Sequence, residues 1–143
     1  MTGTTRLAAS ADRVFAEVAD LATYPEWLGI VRSVRPDGDA WSVDIGARIG
    51  PLWRTKRVRM VRSESRPPKL VRFERAELDG RTHAPWVLTG EIEVDDSDGG
   101  PPTRLTMHLH YGGAKWLPLV DRVLADEIRR AGGRLARRLR STG

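Results

Sequence analysis

Between Val31 and Tyr111 apolar and polar residues alternate with a period of two, and on either side of that stretch the period lengthens to three or four. Near the start, Ala11, Val14, Phe15 and Val18 recur at helical spacing, which predicts a helix over about Ala11–Asp20 with one buried face. Ser10 suits its N-cap, since a hydroxyl can satisfy a free first-turn N–H, and Asp12 sits where the helix dipole favours an anion. Thr4–Ala8 before it has room for a short strand. Pro25, in Tyr24-Pro25-Glu26-Trp27, is expected to open a second short helix, because its missing N–H costs nothing in a first turn. Trp27 and Leu28 would bury that helix.

The alternating stretch divides at turn signals. Pro36-Asp37-Gly38-Asp39 precedes a strand in which Trp41, Val43, Ile45, Ala47 and Ile49 share a face. Gly50-Pro51 separates it from Leu52–Ser65, where Val58 and Met60 share a face and Arg57 and Arg59 point the other way. Pro67-Pro68 precedes Leu70–Leu78, with Val71 and Phe73 inward, and Asp79-Gly80 ends it. Trp86, Leu88, Gly90, Ile92 and Val94 mark the next strand, Asp95–Pro102 a polar loop, and Leu105, Met107, Leu109 and Tyr111 the last strand. From about Trp116 to Arg140, Leu117, Val120, Leu124, Ile128, Ala131, Leu135 and Leu139 form one apolar stripe. Gly132-Gly133 inside it predicts a bend or a close contact with the sheet.

Short turns between consecutive strands imply an antiparallel sheet. The expected fold is α+β: a curved seven-stranded sheet gripping a long C-terminal helix, with two short N-terminal helices, as one domain over residues 1–143. A sheet curved around one helix leaves room for a cavity between them.

Composition narrows the chemistry. Zero cysteines exclude disulfides and thiol nucleophiles. No apolar run approaches the ~20 residues needed to cross a bilayer. Met1–Arg6 has no apolar stretch of signal-peptide length, so a cytoplasmic location is the default expectation. The net charge of +5 comes mostly from arginines interspersed with acids, which reads as a solvated surface. Arg129, Arg130, Arg134, Arg137, Arg138 and Arg140 crowd the end of the last helix. They complement its dipole, or else make weak contact with an anionic membrane surface. No helix-turn-helix, zinc-finger or RNP pattern points to nucleic acid, and no dinucleotide, P-loop or zinc-protease motif points to a cofactor or metal.

Five local features, in order, resemble the START-like (SRPBCC) superfamily, which includes the Bet v 1-type allergens and the polyketide cyclase/dehydrase family. They are Ser10-Ala11-Asp12-Arg13-Val14-Phe15, Tyr24-Pro25-Glu26-Trp27-Leu28, Trp41-Ser42-Val43, Pro67-Pro68-Lys69-Leu70-Val71 and Thr103-Arg104-Leu105-Thr106. The resemblance implies a deep pocket between helix and sheet that holds a lipid, polyketide, quinone or similar apolar molecule. A polyketide cyclase/dehydratase-type enzyme using the same cavity is the alternative.

Parity names the candidate lining. Val43, Ile45, Val58, Met60 and Phe73 come from the first strands, and Trp86, Leu88, Leu109 and Tyr111 from the last two. Val120, Leu124 and Ile128 come from the helix. Arg54 and Lys56 share parity with Val58, and Arg75 with Phe73. Directed inward near the mouth, these cations would hold a carboxylate or enolate oxygen; a bulge, or heads that snorkel to water, would place them outside. His108 and His110 have the opposite parity and face solvent, and His83 falls in a loop near the rim, so no catalytic residue is assigned. Trp27 and Trp41 read as core, and Trp53, Trp86 and Trp116 as candidates for a pocket mouth.

Overall fold

The structure is a computed structural model that describes residues 2–49, 51–95, 97–112 and 117–142, and the side chains of these except 47–49, 117–125 and 141–142. The order is β1 (Thr2–Leu7), α1 (Ala11–Val18), a 3-10 helix (Leu21–Glu26), β2 (Val31–Asp37), β3 (Ala40–Ile49), β4 (Leu52–Arg66), β5 (Leu70–Arg75), β6 (Trp86–Val94), β7 (Thr103–Tyr111) and α2 (Leu117–Thr142). The seven strands form one antiparallel sheet in the order β1-β7-β6-β5-β4-β3-β2. This is the helix-grip architecture that the period changes predict.

Alternation decides the faces. In β7, Leu105, Met107 and Leu109 are buried while His110 is exposed and His108 half-exposed. A one-residue slip would bury both imidazoles and expose the apolar set, so the register is strongly held. On the concave side, α1 lies against β5, β6 and β7. Gly90 makes that approach possible: a Cβ there would stand 2.7 Å from a Val18 methyl. Further along, α2 packs on β1, β3 and the 3-10 helix.

Ser10 caps α1, its Oγ accepting from the Arg13 backbone N–H at 3.3 Å. The second helix departs from expectation. Asp20, not Pro25, sets its start by accepting the Ala22 N–H, and Pro25 lies near its end. The aromatic motif there is structural. The Tyr24 hydroxyl donates to the Val18 carbonyl at 2.6 Å, and its ring meets Trp27 and Phe73. Burial pushes the Tyr24 phenol far above its usual range, so it stays a donor.

The glycine pair in α2 resolves into two different residues. Gly132 faces β1 so closely that a Cβ would stand 2.6 Å from the Thr5 hydroxyl, whereas a Cβ on Gly133 would meet nothing. The helix runs through both without interruption. Between this part of α2 and the sheet lies a void of about 10 Å³, lined by Gly3, Trp27, Met107, Ile128, Gly132 and their neighbours. That is room for one water at most.

Candidate functional site

The other end of the grip is built differently. Register places Trp41 opposite Met60, Met60 opposite Arg75, and Trp86 opposite Tyr111. Glu74 faces Val87, which brings Arg75 beside Trp86. One transverse row, Trp41–Met60–Arg75–Trp86–Tyr111, therefore crosses five strands on the concave face. The next row is Arg62–Phe73–Leu88–Leu109, apolar from Phe73 onward, with Arg62 over the Trp41 ring and donating to the Ala19 carbonyl at 3.0 Å. Trp86 and Tyr111 stack with ring centres 5.4 Å apart and are only partly buried.

Arg75 is the cation of this row, and its side chain is only 7% exposed. Nε donates to the Glu77 carboxylate at 2.7 Å, one terminal nitrogen to the Ala84 carbonyl at 3.3 Å, and the other to His83 Nδ1 at 3.3 Å. A guanidinium only donates, so His83 Nδ1 must accept, which leaves the proton on Nε2. That nitrogen lies 2.8 Å from Asp79 and donates to it. The result is a directed chain from Arg75 through His83 to Asp79. Glu77 also accepts the Arg59 backbone N–H at 3.2 Å. Burial pushes the Glu77 carboxyl up, but the Arg75 and Arg59 hydrogen bonds and the guanidinium charge more than offset it, and it sits below the usual carboxylate range. Asp79 is held low by the Arg81 backbone N–H and by His83. The row is thus polar at its centre, with the buried positive charge matched by a carboxylate. Of the five N–H groups of Arg75, three are engaged among the described residues.

The sequence-predicted residues divide by position. Arg75, Trp86, Tyr111 and Met60 meet in the row, and Leu88 and Leu109 lie just below it. Val43, Val58 and Phe73 are packed into closed core, with Phe73 wedged edge-on between Tyr24 and Trp41. Ile45 is partly buried above them. Ile128 sits over Gly3 at β1, away from the row. Arg54 and Lys56, placed by parity at the mouth of the cup, are exposed instead. The reason is strand length: β5 ends at Arg75, so this part of β4 runs past its neighbour with β3 alone as partner. Trp53 is likewise exposed, on the opposite face of β4 from Arg54. Val120, Leu124 and Trp116 lie outside the described side chains. Glu77 and Asp79 were not singled out from the sequence. The signal for Glu77 was the Arg75-x-Glu77 spacing, which pairs an inward cation with a carboxylate two residues on.

The model of the family described as polyketide cyclase / dehydrase and lipid transport matches residues 1–140. Comparison with curated protein sequences finds no match. Among solved structures, a protein from Thermus thermophilus is similar over 100% of this chain and 98% of its own, with a TM-score of 0.71 and 16% identity. A protein from Deinococcus radiodurans is similar over 96% and 94%, with a TM-score of 0.69 and 18% identity. The di-domain ARO/CYC BexL from the BE-7585A biosynthetic pathway matches 95% of this chain with 48% of its own, at a TM-score of 0.59 and 17% identity. These likenesses establish the fold, and the whole-length match establishes the family: the chain belongs to the polyketide cyclase/dehydrase and lipid transport family of the START-like superfamily.

Proposed function

We infer that the protein binds a small, flat, largely apolar molecule with a carbonyl or enol oxygen, at the Trp41–Tyr111 end of the grip. The observation that carries this reading is Arg75: a nearly buried guanidinium set among Met60, Trp86 and Tyr111. A charge in such a place needs partners. Three of its five N–H groups have them among the described residues, and a ligand oxygen suits the others. Because Glu77 already matches the charge, the reading favours a neutral acceptor such as a ketone, quinone or enol over a free carboxylate. The stacked Trp86–Tyr111 pair suits a planar ligand. The family's description, with its polyketides and lipids, agrees with this class. Native mass spectrometry of the purified protein, followed by tryptophan-fluorescence titration with a quinone and with a fatty acid of similar size, tests it. The expected result is saturable quinone binding at least tenfold tighter than the acid. Equal or tighter binding of the acid overturns the preference.

Cyclase- or dehydratase-type chemistry is the second reading, and the Arg75–His83–Asp79 chain favours it. The imidazole is held in one tautomer, and a ligand hydroxyl that displaced the Arg75 N–H from Nδ1 would meet a base there. Turnover of an aromatic polyketide precursor that disappears in His83→Ala, with ligand affinity kept, would support it. Binding without turnover in the wild type would count against it.

A further inference from the structure

We propose that the β3–β4 hairpin is a membrane-docking ribbon that presses its Leu52–Trp53 tip into an anionic lipid surface. β4 has no β5 partner beyond Met60 and β3 has no β2 partner beyond Ile45, so Gly46–Ile49 and Leu52–Thr55 pair only with each other, a two-stranded tip about 10 Å long at 3.4 Å per residue. An isolated two-stranded ribbon is marginal in water, so an adhering surface suits it. At its outer end Leu52 and Trp53 are 54% and 57% exposed. They are two of the few large apolar side chains that the described surface leaves in water, and the sheet's own core has no use for them.

Charge selects the partner. From Ile45 to Ser63 the sequence has six cations and no acid. On the stem behind the tip, Arg54, Lys56 and Arg57 are exposed, with Asp44 the carboxylate paired to Arg57 at 2.9 Å. The Arg32 guanidinium stands 5.1 Å from the centre of the Trp53 ring and braces it by a cation–π contact. A surface groove of about 460 Å³ between Arg32, Asp44, Thr55, Lys56 and Arg57 is large enough for a phosphate headgroup. The order matters: apolar side chains lead and cations follow. In a bilayer that order puts Leu52 and the indole at the acyl boundary and the cations at the phosphates. A nucleic-acid ribbon would lead with its cations. At the arginine-rich end of α2, where the sequence suggested membrane contact, Arg129 pairs with Asp126, Arg130 and Arg134 with Glu127, and Arg138 with Glu17, and no large apolar side chain among its described residues is exposed to lead an insertion. The proposal needs no occupant in the grip and stands apart from the ligand reading.

Vesicle flotation of the full chain tests it, with phosphatidylcholine vesicles and with phosphatidylcholine:phosphatidylglycerol at about 7:3, in low and high salt. The wild type is expected to partition onto the anionic vesicles at least tenfold more strongly than onto the neutral ones, and to lose most of that in high salt. The Leu52→Ser/Trp53→Ser variant should lose at least tenfold, and Arg54→Gln/Lys56→Gln should fall several-fold toward the neutral value. All four side chains are exposed, so unchanged circular dichroism and melting temperature serve as the folding control. In Trp53→Phe, a lost blue shift on vesicle binding would place Trp53 itself in the lipid. Equal partitioning onto both vesicles, or wild-type behaviour of Leu52→Ser/Trp53→Ser, overturns the proposal. So does DNA that competes the vesicles away and binds the tip variant as well as the wild type.

Discussion

Single residues at the row carry opposite duties, and Arg75 shows how closely they are tied. Its charge is tolerable in a nearly buried position because Glu77 lies 2.7 Å away. Removing that carboxylate leaves the guanidinium uncompensated. Glu77→Gln is expected to destabilise the fold by roughly 3 kcal/mol, the low end for stripping one partner from a buried pair, as read from urea unfolding at pH 7. The pH dependence has a definite sign. The folded Glu77 carboxyl sits below its ordinary range, so its contribution to stability is full above the unfolded value and is lost as pH falls through the folded one. Acidification from about pH 5 should therefore cost the wild type more stability than Glu77→Gln. A variant with the same acid slope as the wild type would show that Glu77 is not the coupled group. Little of this was legible beforehand. Parity pointed Arg75 inward, but Asp79 and His83 reach it only because the loop after β5 folds back, and alternation carries no information about loops.

At the level of elements, alternation and turn residues placed the five strands from Trp41 to Tyr111, since each is wet on one face and dry on the other. The total of seven was right, but Pro36 and Asp37 read as a turn although they end β2. What they could not show was how long each strand is relative to its neighbours. Leu70–Leu78 read as one strand, yet pairing stops at Arg75, and that early stop leaves the outer half of β4 as a ribbon and Arg54 and Lys56 in water. The Gly132-Gly133 pair was visible but its two members were not separable, because a helix's side-to-side geometry depends on which strand it touches. They should separate in the laboratory. Gly133→Ala adds a methyl to open space and is expected to stabilise by up to about 1 kcal/mol through helix propensity. Gly132→Ala drives a Cβ into Thr5 and should destabilise by about 1–3 kcal/mol. Thermal melts of the two variants check the pair, and equal shifts would mean that α2 does not ride on β1 as closely as described. The histidines belong to this scale too. His108 pairs with Thr2 and approaches Glu91 on the outer face, so His108→Ala/His110→Ala should leave ligand affinity within twofold.

Across the whole molecule the grip divides into a sealed half and the half we propose to bind ligand. At the β1 end, Ile128, Ala131 and Leu135 close on Gly3, Trp27 and Met107 around a water-sized void. Along the Trp41–Tyr111 row, which spans β3 to β7, a half-buried aromatic pair and a compensated cation line the concave face. The sealed half anchors α2 on β1, where Gly132 lies against Thr5 and Ile128 over Gly3. If this division is real, stability and affinity should come apart by position. Ile128→Ala would enlarge the small void and cost about 2–5 kcal/mol of stability, yet leave ligand affinity within twofold at temperatures where the variant is folded. Trp86→Ala removes a side chain that is only partly buried, so its stability cost should lie below that of Ile128→Ala, while affinity falls at least tenfold. Urea unfolding and fluorescence titration on the same two variants measure both quantities. Loss of affinity in Ile128→Ala with Trp86→Ala unaffected would move the binding site to the β1 end and exclude the row around Arg75.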